Sequence, residues 1–122
     1  MTTLSSDDKG LDYLLELDGT VMEIGRGYWV KLAARRVAPS SAKPHGIDYS
    51  LCLFSSDNER LICFDNAHPL KTGSGPSKRA TAINDHVHRG KSVKPYPYSD
   101  AGELVADFWT AVDETLKSRG MP

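Results

Sequence analysis

Two short segments gather most of the side chains able to do chemistry in this chain, "FDNAH" at residues 64–68 and "NDHVHRG" at residues 84–90. Together they hold His68, His86 and His88, three of the four histidines, with Asp65, Asn66, Asp85 and Arg89. Three readings compete for such a set. The first is metal-free cleavage of RNA by its own 2′-hydroxyl, which needs a base for that proton, an acid for the leaving oxygen and a cation for the pentavalent phosphate. Histidine, with an ordinary pKa of about 6.5, serves either proton role near neutrality, and Arg89 offers a bidentate phosphate clamp. The second is a metal site, with the His-x-His pair giving two ligands and Asp65 or His68 a third. The third is a polar loop in which Asp85 caps a turn while Asp65 and Asn66 satisfy loop backbone.

Backbone geometry constrains all three. In an extended strand His86 and His88 share one face about 7 Å apart, while Asp85, Val87 and Arg89 face the other way. A bend, which Gly90 and the preceding loop permit, is needed to bring Arg89 or Asp85 to the imidazoles.

The elements that must position these groups are legible in part. "LDYLLELDGTVMEI" alternates Leu11, Tyr13, Leu15 and Leu17 before Asp18-Gly19, which predicts a first β-hairpin, although "LDYLLEL" also fits a helical turn. "GRG" at 25–27 interrupts the second strand as a bulge or bend. "YWVKLAARRV" resumes it, with Tyr28, Val30, Leu32 and Ala34 on one face and Trp29, Lys31, Ala33 and Arg35 on the other. "IDYSLCLF" and "RLICFD" predict a second hairpin across the turn "SSDNE", and residues 66–84 read as a long polar loop. The prolines of "KPYPYSD" keep the backbone extended before a C-terminal helix capped by Ser99 or Asp100. Glu103 closes its capping box, and Leu104, Val105, Phe108, Val112 and Leu116 form its apolar stripe. The expected fold is α+β, a bent antiparallel sheet of four to five strands with this helix packed on one face.

A length of 122 residues suits one domain, expected over residues 11–119 behind a flexible N-terminus at 1–10. The net charge of -1 hides an asymmetry: Gly25 to Lys94 carries twelve Lys and Arg against five acids, a local +7. A basic centre suits a surface that meets phosphates, with Arg35, Arg36, Lys78 and Arg79 as anchors and an exposed Tyr96 stacking a base. The acidic start and the absence of long apolar runs predict a soluble, cytoplasmic protein. Cys52 and Cys63, on opposite sides of a turn, read as small core residues, with a cross-strand disulfide as the alternative.

Taken in order, "PHG-x-x-YSL", "DNAH", "DH-x-HRG", "YPYSD" and a helix containing "DFW" make the chain, from about Leu11 to Val112, resemble the TumE family of small bacterial toxins. The resemblance implies the toxin of a type II toxin–antitoxin system, encoded beside a helix-turn-helix antitoxin that neutralises it. Joined to the residues, it implies a metal-independent endoribonuclease that inhibits growth and needs no cofactor. His86 and His88 are then the acid–base pair, Arg89 the clamp, and Asp85 or Asp65 the group orienting an imidazole. Arg35, Arg36, Asn66, His68, Lys78, Arg79 and Tyr96 are the expected substrate contacts. The expected partners are RNA and the antitoxin, in a homodimer or a hetero-oligomer, with no membrane. The alternatives are a non-enzymatic toxin or accessory protein that blocks a cellular target, and a metal-dependent nuclease.

Overall fold

A computed structural model describes residues 8–41, 43–66 and 85–120. Six strands form one antiparallel sheet in simple sequential order: β1 (Thr20–Gly25), β2 (Tyr28–Arg36), β3 (Ile47–Phe54), β4 (Arg60–Asp65), β5 (His86–Arg89) and β6 (Ser92–Pro95). A short helix α1 (Leu11–Glu16) precedes them and a long helix α2 (Ala101–Ser118) follows. Among the described residues no helix is long and apolar enough to cross a membrane.

The α+β expectation holds, with a higher strand count. The additional strand is β6, which pairs with β5 through His88 opposite Val93 and His86 opposite Pro95. Its four residues are all exposed, so it lacks the apolar alternation that marks a half-buried strand. The first hairpin also lies one element later than its pattern suggests. Leu11 and Leu14 are buried three residues apart, on one helical face, so "LDYLLE" is α1 instead of a strand. Asp18-Gly19 then turns the chain into β1, and the Asp18 carboxylate accepts a hydrogen bond from the Ala34 amide at 2.9 Å. The hairpin turn is Arg26-Gly27, with φ of 53° and 82°, as a two-residue type I′ turn requires. The ladder slips between Glu23 and Gly25, so "GRG" combines a turn with an irregularity in register.

Alternation along β2 to β5 sorts the sheet into two faces. Val30, Leu32 and Ala34 of β2, Ile47, Tyr49, Leu51 and Leu53 of β3, and Ile62 and Phe64 of β4 join the core beneath α2. Phe108 of α2 sits edge-on to Phe64 at 6.0 Å, and Leu104, Val105, Ala111 and Val112 complete the helical stripe. The Asp100 carboxylate caps α2 by accepting from the Glu103 amide at 2.8 Å. Gly10 fixes how α1 meets α2: it has φ of 82°, and a Cβ there would lie 2.6 Å from the Gly102 backbone.

The face turned away from α2 carries Trp29, Lys31, Ala33 and Arg35 of β2, Ser50 and Cys52 of β3, Cys63 and Asp65 of β4, and His86 and His88 of β5. Cys52 and Cys63 stand directly opposite each other in the ladder and are joined as a disulfide, not held as separate core thiols. Both sulfurs are buried, so the core placement and the cross-link hold together.

Candidate functional site

Asp65 ends β4 directly opposite His86 of β5, and Cys63 stands opposite His88 two residues along. This register places the carboxylate between two imidazoles that rise from the same strand on the same face. His86 Nε2 lies 2.9 Å from Asp65 Oδ1, and His88 Nε2 lies 3.5 Å from Oδ2. The rings meet edge to face with centroids 4.7 Å apart. Asp65 and His86 are buried, whereas the His88 side chain retains 20% exposure. A carboxylate that engages both imidazoles fixes which ring nitrogens face it. One of the two rings is reachable from outside.

Asn66, the next residue, serves the scaffold. Its Nδ2 donates to the Ile47 carbonyl at 2.9 Å and its Oδ1 accepts from the Tyr49 amide at 3.0 Å. The side chain therefore extends the β3–β4 pairing past the last strand residue and anchors the backbone that presents Asp65. Lys43 adds a contact from its Nζ to the Asn66 carbonyl.

Because β5 is a regular strand, Asp85 and Arg89 do not join the two histidines. Arg89 stands opposite Ile62, on the α2 side, and is exposed. Asp85 also turns to that side, where it accepts from the Tyr49 hydroxyl at 2.7 Å and meets His45 Nε2 at 3.1 Å. It thus does contact an imidazole, that of His45. The His45 ring stacks on Tyr98 at 3.9 Å, beside a cavity of about 380 Å³ lined also by Arg36 and Ser99. His45 and Tyr49 carried no role in the sequence reading, although both stand in "PHG-x-x-YSL". Their common signal was that motif, and only the fold brings it against Asp85.

Of the remaining expected contacts, Arg35 lies on the histidine face, exposed and paired with Asp48 at 3.5 Å. Tyr96 is not an exposed stacking platform. It is buried, its ring packs edge-on to Phe64, and its hydroxyl donates to Asp107 at 2.6 Å, because the chain leaving β6 turns it towards α2. His68, Lys78 and Arg79, with the rest of the long polar loop beyond Asn66, lie outside the described residues.

Three tyrosines behind the site are held in the protonated form. Burial first, and then the Asp85 charge, raises the Tyr49 hydroxyl far above the ordinary tyrosine range. Burial likewise dominates at Tyr96, followed by Asp107, and at Tyr98, followed by Asp8. A proton held more tightly in the folded than in the unfolded chain stabilises the fold below the unfolded pKa and is a loss above it. The contribution of these groups to stability is therefore expected to stay constant up to pH of about 10, the unfolded tyrosine value, and to decline as pH rises further. Urea midpoints measured against pH test this, and Tyr49→Phe should show the shallower alkaline decline.

Compared with known proteins, the chain matches the model of a family described as Toxin TumE over residues 16–116. Neither a curated protein nor a solved structure matches it. The family match spans every strand and α2 as far as Leu116, and of α1 only Glu16, so it takes in Asp65, His86 and His88 with the sheet that positions them. The chain therefore belongs to the TumE toxin family, and with that it is a toxin that implies an antitoxin partner.

Proposed function

We propose that this toxin is an endoribonuclease acting in the cytoplasm, in which His88 meets RNA, His86 acts behind it as its acid–base partner and Asp65 holds both rings. The observation that carries the reading is the shared carboxylate: Asp65 contacts both imidazoles and so holds two groups able to give and take protons side by side on one face of the sheet. Proton transfer from a positioned pair of this kind contributes about 10²–10⁴-fold in rate. His88, the more exposed ring, meets the substrate, and His86, buried against Asp65, completes the relay.

The 2′-hydroxyl gives up its proton and attacks the adjacent phosphorus, the phosphorus–5′-oxygen bond breaks, and the departing oxygen takes a proton. No external nucleophile or oxidant is needed. Lys31 and Arg35 on the same face supply positive charge for the flanking phosphates. A helix-turn-helix antitoxin with an acidic segment would silence the toxin by covering this face.

The test is the product. Purified toxin should cut RNA in chelator to leave 2′,3′-cyclic phosphate ends, and a substrate with a 2′-deoxy sugar at the cut position should survive. Cleavage of that deoxy substrate, or 5′-phosphate products, would refute the mechanism.

A further inference from the structure

The same three side chains have a second property, independent of RNA. Asp65, His86 and His88 each present one donor atom, and these atoms all lie within 4.8 Å of one another. In a tetrahedral site with metal–nitrogen and metal–oxygen bonds of about 2.1 Å, neighbouring donors stand about 3.4 Å apart. The 2.9 Å from His86 Nε2 to Asp65 Oδ1 and the 3.5 Å from His88 Nε2 to Asp65 Oδ2 lie close to that spacing, each ring through its own carboxylate oxygen. The donors come from two hydrogen-bonded strands in fixed register, so little backbone movement is required to enclose an ion.

We propose that this trio binds a borderline divalent transition ion of the zinc class, and that the bound ion silences the toxin. The proposal rests on the acid–base reading of the site for its second half. Two imidazole nitrogens and one carboxylate oxygen suit zinc, cobalt or copper and do not suit magnesium or calcium, which prefer all-oxygen sets. One carboxylate also leaves a divalent ion with a net positive charge, which partial burial disfavours less than it would a bare ion. Coordination through Nε2 takes the lone pair of each ring. A ring in that state can neither accept a proton at that atom nor hold one there to donate, so both members of the pair are occupied at once.

Chelator-treated, dialysed toxin titrated with Co²⁺ should develop saturable visible d–d bands at one ion per chain, and Zn²⁺ should displace them. His88→Ala and Asp65→Asn should remove the bands while leaving the far-ultraviolet circular dichroism unchanged. Cleavage by the metal-free protein should fall at least tenfold with one equivalent of Zn²⁺ and return with chelator. Absence of a saturable cobalt signal in folded wild-type protein, or a signal unchanged in both variants, would overturn the site. Acceleration of cleavage by Zn²⁺ would overturn the silencing. The two readings separate cleanly. A protein that cuts RNA without binding Co²⁺ retains the nuclease and loses the ion site, and one that binds Co²⁺ through these residues but cuts no RNA does the reverse.

Discussion

Replacing His88 with alanine is expected to lower RNA cleavage by about 10²–10⁴-fold and to abolish growth arrest on expression, with His86→Ala at least as severe. His88 is the better probe of chemistry because its side chain is partly exposed, so truncation leaves little buried space behind. His86 is buried against Asp65, and removing it leaves that carboxylate with one imidazole fewer in a low-dielectric setting. Arg89→Ala is the informative control. Arg89 neighbours His88 in sequence but stands across the sheet from it, exposed on the α2 side. Its loss should change cleavage less than about threefold, within the range of a surface substitution. Initial rates on a fluorogenic RNA, for variants matched in circular dichroism, decide the matter. An Arg89→Ala effect as large as that of His88→Ala would mean that the straight-strand geometry does not describe the working toxin.

The second large effect concerns stability. Asn66→Ala should lower the unfolding free energy by about 2–5 kcal/mol, because it strands the Tyr49 amide and the Ile47 carbonyl, each lost partner costing about 1–3 kcal/mol. Asn66 is 1% exposed, so water has little access to replace either contact. For a domain whose total stability is about 5–15 kcal/mol, that is a large fraction. Urea denaturation followed by tryptophan fluorescence gives the value, and a change below about 0.5 kcal/mol would contradict the scaffold role. The fraction that remains folded should still cut RNA, which distinguishes a residue that anchors Asp65 from one that touches substrate.

Local rules made several elements visible in the sequence. The Asp100 cap and the apolar stripe through Phe108 define α2, since both signals lie within a few residues of one another. The alternation in β2 was equally clear, because a strand with one covered face writes its burial pattern directly, and the β3–β4 hairpin showed as two short apolar runs across a polar turn. The pairing of His86 with His88 on one face follows from strand periodicity alone. What failed to show needed long-range information. The leucines from Leu11 fit periods of both 2 and 3.6, and only contact with α2 and β2 selects the helix. Strand β6 exists because β5 offers an edge to pair with, and its own residues are exposed throughout. That Asp65 and not Asp85 serves His86 depends on the β4–β5 register, which no short window contains. Tyr96 looked like a surface ring because its burial depends on Phe64, distant in sequence, and on how α2 folds back over the sheet.

The sequential order of the sheet bears on when the toxin becomes dangerous to the cell that makes it. Each strand pairs with the one synthesised before it, so β1 to β4 form a contiguous ladder before β5 is available. Asp65 ends that ladder, and its two partners arrive only once the chain has been made through His88. A nascent or prematurely terminated polypeptide that stops short of His86 therefore lacks both imidazoles that Asp65 engages, together with the helix that covers the sheet. Frameshifts and stop codons upstream of His86 are expected to yield harmless products, and toxicity requires in addition that α2 be made to close the core.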